Sequence, residues 1–365
     1  MTVTHVRGES RALDAQVHRW QAPPVHLRVF TEAIPTWTAL TPPGTSIEIR
    51  LRVGRSAEAE PSGGSRWSDW AVLARWSTDP GFCSTTVPGQ ALHGIRVDAD
   101  TAVVDTAVLG GAADLVEAEA LLHAAPSGAV PVLERVSVLT RGPAPRRPEL
   151  AHSVPRGTNL ELLLPPISQR QQGELPGYGA GDVWCSPTSL TMLLDFLDRA
   201  DRRSGPADPG ADDAAAAAPA TSASGPEDEG GSPAVRTTLR GVWDHAYDGA
   251  GNWAFNTAWA AARGYDAFLD TLPDLRAGEE LLAAGEPFIA SVTFDAAELP
   301  EAGYETGGHL LVVSGVTAGG DVRVHDPAAP TAAAVRRIYP RAAFERAWLS
   351  REGSGGLVYR VRRRR

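Results

Sequence analysis

Residues 181–200 read GDVWCSPTSLTMLLDFLDRA, and the fold is read outward from them. Leu190, Leu193, Leu194 and Leu197 fall at i, i+3, i+4 and i+7, the apolar stripe of an amphipathic helix. Pro187 suits a first helical turn, where no N–H is needed, and Ser186 before it is an N-cap candidate. A helix buried by such a stripe holds its N-terminus in place. Cys185 stands at that positive end, where the thiolate is favoured over the thiol. An isolated cysteine is more often a small buried hydrophobe. Here the cap, the helix and two downstream partners favour a nucleophile.

The partners lie in GHLLVVSGVTAGGDVRVHDP, 308–327, which predicts a hairpin turning at Ala318–Gly319. His309 opens its first strand and Asp326 closes its second, so folding brings them nearly opposite, within reach of a side-chain hydrogen bond. Asp326 then orients the imidazole, and the other ring nitrogen is left for the thiol. His325 points to the opposite face, and His245 lacks an acid at hairpin spacing. Acyl transfer also needs an oxyanion donor. The Cys185 N–H is one, and an upstream amide is the usual second: Gln169 is the first choice, with Gln171 and Gln172 as rivals that spacing alone does not separate. Cys83 has neither a helix start nor a nearby histidine and reads as structural.

Two cysteines allow no disulfide framework. A net charge of −10 argues against a nucleic-acid partner. Neither zinc spacing, a calcium loop, a Walker loop nor a dinucleotide fingerprint is present, so no metal and no cofactor is expected. No segment is long and apolar enough to span a membrane, and the first residues lack the apolar core of a signal peptide, so the chain as written reads as cytoplasmic.

The expected fold class is α+β: an N-terminal β-sandwich followed by a domain of helices and antiparallel strands. Residues 1–24 read as a polar lead-in and 25–140 as the sandwich, whose clearest strand, SIEIRLRV (46–53), alternates Ile47, Ile49, Leu51 and Val53 with polar residues. Glu117–Ala124 suggests a short helix. Trp37, Trp67, Trp70 and Trp76 read first as core and second as a ligand surface, the ligand being unknown. RGPAPRRPE, 141–149, is the expected linker and 150–365 the catalytic domain. Within it, 202–234 is rich in Ala, Gly, Pro and acid and reads as a disordered insertion. Asn256 is expected to cap a helix running to Arg263.

ISQ (167–169), WCSPTSLTMLL (184–194), GNWAFNTAWAAARG (251–264), GHLLVVSGV (308–316) and VRVHDPAAP (322–330) together resemble peptidase family C-thirty-nine. These are papain-like cysteine peptidases related to the bacteriocin-processing, double-glycine leader peptidases. IPTWTALTPPGTSIEIRLRV (34–53) and RWSDWAVLARW (66–76) resemble the N-terminal region of its actinobacterial members, many of which look secreted. The resemblance implies Cys185 as nucleophile, His309 as general base and acid, Asp326 as orienter and Gln169 in the oxyanion hole. It implies a peptide or protein substrate. No transporter cassette is present, so double-glycine specificity is not carried over. Two other readings use the same residues: a peptide- or glycan-binding protein on an inactive papain-like scaffold, and a Cys-dependent amidase or acyltransferase.

Overall fold

The protein was analysed as a computed structural model, which describes residues 2–57, 64–142, 152–204, 231–350 and 354–364. Most of the expected linker lies outside the described residues, as does 205–230 of the expected insertion.

The front half is built from β1 (Thr2–Val6), β2 (Glu9–Ala12), β3 (Val17–Gln21), β4 (Val25–Phe30), β5 (Glu32–Leu40), β6 (Ser46–Arg55), β7 (Arg66–Trp67), β8 (Ala71–Trp76), β9 (Ile95–Asp98), β10 (Thr101–Val104), the helical turn α1 (Thr106–Leu109), β11 (Ala113–His123) and β12 (Val132–Arg141). Two antiparallel sheets result, one ordered β1-β12-β5-β10-β9 and the other β2-β3-β11-β6-β7, with β4 on β11 and β8 on β6. Val136 and Val138 of one sheet share a core with Ile49, Leu51 and Val53 of the other, which makes the β-sandwich. Trp37 and Trp76 fill that core edge to face, with ring centroids 5.9 Å apart. Trp67 and Trp70 are only half-buried, and Arg52 lies over both rings.

Two sequence expectations fail here. The lead-in is structured: β1 pairs with β12 from Thr2↔Thr140 to Val6↔Val136, and β3 pairs with β11. Its polarity comes from β2, exposed along its whole length, and from β3, which buries Trp20 alone. Glu117–Ala124 is not a helix but lies largely in β11, paired with both β3 and β6. Its Ala and Leu residues are good helix formers, and tertiary pairing overrides them. Ala118, Ala120 and Leu122 enter the core, while Glu117 meets Arg52 and Glu119 meets Arg19 and Arg50 on the outer face.

The second half contains β13 (Leu160–Glu161), β14 (Glu174–Leu175), β15 (Gly179–Ala180), α2 (Cys185–Ser204), α3 (Pro233–Val242), α4 (Trp253–Ala262), β16 (Tyr265–Thr271), α5 (Leu275–Ala283), β17 (Phe288–Phe294), β18 (Thr306–Val316), β19 (Val322–His325), β20 (Arg336–Tyr339), α6 (Arg341–Leu349) and β21 (Leu357–Arg363). Its main sheet runs β16-β21-β17-β18-β19-β20, with β13 on β18. One face, with Ile289, Leu310, Val312 and Tyr359, packs on α2, α3 and α4; the other, with Phe288, Leu311 and Val313, packs on α5 and α6. A sheet covered on both faces explains why PFIASVTF and HLLVV read as nearly continuous apolar runs.

The expected insertion 202–234 is shorter than the sequence suggested. Residues 202–204 finish α2, and Ser232 already donates its N–H to Gln172 Oε1 at 2.7 Å. Asn256 does not cap α4. Asn252 does, accepting from the Phe255 N–H at 3.0 Å, while Asn256 is buried inside the helix and bonds back to the carbonyls of Ala250 and Asn252.

The two halves share their cores. Phe255 and Ala258 of α4 sit in the sandwich core, and Ile34 and Leu139 of the sandwich sit in the core beneath α2. Arg135 pairs with Asp266 at 2.6 Å, and Asp244 accepts the Thr86 N–H at 2.9 Å.

Candidate active site

The leucine stripe does what its spacing implies: Leu190, Leu193, Leu194 and Leu197 are all buried, which fixes α2 against the sheet. The helix begins at Cys185, two residues earlier than an N-cap at Ser186 implies. The Thr188 N–H reaches the Trp184 carbonyl at 3.1 Å, because the 3-10 turn Gly181–Val183 runs straight into the helix. Ser186 is therefore inside the first turn, and its hydroxyl bonds the Tyr359 hydroxyl at 2.9 Å instead of capping. Cys185 is itself the first helical residue and is half-buried in a cleft.

His309 and Asp326 meet as the hairpin predicts. Val312 pairs with His325, so the strand ends are offset by two residues, and His309 Nε2 lies 2.9 Å from Asp326 Oδ1. His309 Nδ1 is left free of Asp326, and the ring lines the same cleft as Cys185. His325 is on the other face, between Ser314 Oγ and the Leu164 carbonyl at 3.1 Å each. Burial and then Arg336 push it down to about 4, so it is neutral and spent on structure.

Charge at the site follows from these contacts. Burial pushes the Cys185 thiol up, but the bond to His309, its charge, and the N–H groups of Leu310 and Ser186 bring it below its ordinary value. Burial pushes His309 down, and Asp326 and then Cys185 together outweigh it, lifting the imidazole to about 10. Burial also opposes the Asp326 charge, yet His309, Tyr339 and Tyr304 hold the carboxyl well below the usual range. Each shift runs toward the charged form: the Cys185 thiol down, the His309 imidazole up and the Asp326 carboxyl down.

Two residues of this row escaped the sequence reading. Asp326 Oδ2 accepts the hydroxyls of Tyr304 at 2.8 Å and Tyr339 at 2.5 Å, and Oδ1 also accepts the Ala328 N–H at 2.9 Å. The Tyr304 ring stands edge-on to His309, centroids 5.6 Å apart. No spacing rule links Tyr304 or Tyr339 to Asp326; only the close approach of three chain segments does.

Of the three glutamines only Gln169 lines the cleft. Gln171 is exposed and accepts the Ala332 N–H, and Gln172 is buried in bonds to Ser168 and Ser232. Gln169 is placed by its neighbours: its N–H binds the Pro327 carbonyl, Ser168 Oγ binds the Ala329 carbonyl, and Arg170 Nε binds the Ala328 carbonyl, all just past Asp326. Its Nε2 donates one hydrogen to the Asp182 carbonyl at 2.5 Å, and its Oε1 is buried without a donor among the described residues. Gly181 makes this approach feasible, since a Cβ there would lie 2.1 Å from the Gln169 carbonyl oxygen. Cys83 is exposed rather than packed and lies apart from the cleft lining. Among the described residues, no group of three or more His, Cys, Asp or Glu is placed to hold a metal ion. No described helix is long and apolar enough to cross a membrane.

The sequence pattern of the Peptidase_C39 like family matches residues 161–355. The chain belongs to this family. Residues 3–141 match the Peptidase C39 N-terminal domain of the actinobacterial type. Among solved structures, the chain is similar to a C39-like peptidase from Bacillus anthracis, with 18% identity over 57% of this chain and 100% of that one and a TM-score of 0.32. No curated protein sequence matches it. Family and fold are as the motifs implied.

Proposed function

We propose that this C39-family protein is a cysteine peptidase in which Cys185, His309 and Asp326 form the catalytic triad and Gln169 contributes to the oxyanion hole. The observation that carries this reading is His309 Nε2 on Asp326 at 2.9 Å in the same cleft lining as Cys185, the first residue of α2. The cleft beside them measures about 1040 Å³, above the upper end of ordinary small-molecule pockets and suited to an extended peptide.

In this reading the Cys185 thiolate attacks the peptide carbonyl carbon, and the C=O electron pair moves to oxygen. The resulting oxyanion takes N–H bonds from Cys185 and from the second Nε2 hydrogen of Gln169. His309, as imidazolium, protonates the departing amine as the C–N bond breaks, leaving a thioester on Cys185. Neutral His309 then removes a proton from water, which attacks the thioester. The acid product leaves, and thiolate and imidazolium are restored. Asp326, fixed by Tyr304 and Tyr339, keeps the ring in one orientation throughout.

An amidase would run the whole of this cycle on another amide, an acyltransferase would share its first half, and an inactive scaffold would share none of it. The test is incubation with a mixed peptide pool and mass spectrometry of products, with and without an added amine nucleophile. New peptide termini that vanish in Cys185→Ala support the peptidase. Amine adducts in place of free acids would favour the transferase, and no products with an unlabelled Cys185 would favour the scaffold.

A further inference from the structure

The cleft is not carved from the catalytic half alone. One wall comes from the sandwich: Glu32 at the start of β5, Arg96 and Asp98 on β9, Asp100 in the β9–β10 turn, and Arg141 at the end of β12. This wall is clasped to the catalytic half. Asp100 Oδ2 accepts the Trp253 N–H at 2.9 Å, the Arg141 guanidinium lies 5.4 Å from the centroid of the Trp253 ring, and Arg141 Nη2 donates to the Ser354 carbonyl at 2.9 Å. The wall therefore faces whatever reaches Cys185 and does not swing as a separate lobe.

The charges of the cleft do not cancel. Its three arginines are each matched: Arg96 with Asp98 at 3.6 Å, Arg141 with Glu32 at 3.5 Å and Arg170 with Asp182 at 3.6 Å. Asp248 and Glu305, both from the catalytic half, are left over, exposed in the cleft lining and without a cationic partner among the described residues, and Asp100 is buried between the halves. A second observation is independent of charge. Gln169 is almost wholly buried in the same lining, yet its Oε1 has no donor among the described residues. A buried acceptor without a donor costs free energy until an N–H arrives. Excess carboxylate calls for positive charge in the ligand, and the unfilled acceptor calls only for an N–H, which any peptide backbone carries.

We infer that the N-terminal β-domain is a substrate-reading wall of the active-site cleft, and that the cleft takes extended peptides carrying cationic side chains. This rests on the peptidase reading for what happens next, but the binding itself does not need turnover. Like-charge repulsion excludes acidic peptides, and attraction raises the encounter rate of basic ones.

The test uses full-length Cys185→Ala protein and two dye-labelled octapeptides, identical but for two arginines or two glutamates, followed by fluorescence anisotropy. The arginine peptide is expected to bind about tenfold tighter at low salt, the sum of a few weak exposed pairs, with the ratio shrinking as salt screens them. Asp248→Asn with Glu305→Gln should remove most of the ratio. Asp98→Asn, which frees Arg96 on the sandwich wall, should weaken the arginine peptide and strengthen the glutamate peptide. Neutralising Glu9, Asp14 and Glu134, which lie outside the cleft, should change neither. Equal binding of the two peptides, or a ratio that ignores the cleft variants and follows the outside ones, would overturn the inference. If the arginine preference holds but wild-type protein cleaves nothing, the peptidase reading fails and the binding wall stands. If peptides are cleaved without regard to charge, the reverse is true.

Discussion

Phe255→Ala tests whether the two halves form one folding unit. Phe255 belongs by sequence to the catalytic half but is wholly buried in the sandwich core, its ring 5.9 Å from Trp37 at 73°. Truncating a buried phenylalanine costs about 3–5 kcal/mol, part of it the lost aromatic pair. The same helix supplies Ala260 and Ala261 to the core under α2, so the loss is shared by both halves. With an unfolding entropy of roughly 2.1 cal/mol/K per residue, a loss of about 4 kcal/mol lowers the midpoint of a single transition by about 5 °C. The assay is thermal unfolding followed in parallel by far-UV circular dichroism, tryptophan fluorescence and alkylation of Cys185, probes that report on both halves. All three should shift together. Two separated transitions, with only the tryptophan signal of the sandwich moving, would refute the shared core. So would a shift too small to measure.

Other outcomes follow from the site. Tyr339→Phe removes a hydrogen bond to a buried carboxylate, a loss of about 1.5–3 kcal/mol; kcat should fall with KM little changed, and the acidic limb of the pH profile should move up as Asp326 becomes easier to protonate. Asp326→Asn should lower turnover while leaving Cys185 alkylation partly intact, because the residue orients the ring and does not attack. His309 is raised from about 6.5 to about 10, so its contribution to stability is complete below about pH 6.5 and lost as pH rises through about 10; urea midpoints of wild type and His309→Ala should therefore differ most just below about pH 6.5 and converge in strong alkali. Replacing 206–229, which carry no aromatic or large aliphatic residue, with a short Gly-Ser linker should leave midpoint and alkylation unchanged.

The sequence revealed this protein where signal is local. A leucine stripe, a histidine and an aspartate at the two ends of one hairpin, and alternation along 46–53 each need only a few neighbouring residues to be read. It concealed what depends on distant partners. The Ser186 hydroxyl turns to Tyr359, 173 residues away, instead of capping its own helix. Glu117–Ala124 has the composition of a helix and becomes the centre of a sheet because β3 and β6 flank it. Gln169 was separable from Gln171 and Gln172 only once the loop after Asp326 was in place to hold it. The tyrosine clamp on Asp326 and the sandwich wall of the cleft were invisible for the same reason.

The central claim is that His309 and Asp326 make Cys185 a thiolate poised for attack. It is tested most directly by the rate of iodoacetamide alkylation of Cys185 and Cys83 across pH, in wild type and His309→Ala. Cys83 is exposed and Cys185 only half-buried, so accessibility alone favours Cys83. The account predicts that near pH 6 Cys185 nonetheless reacts at least about tenfold faster, with a plateau well below the free-thiol value of about 8.5, and that His309→Ala moves its profile up toward that value. A Cys185 that alkylates no faster than Cys83 near pH 6, with a profile unmoved by His309→Ala, would contradict it.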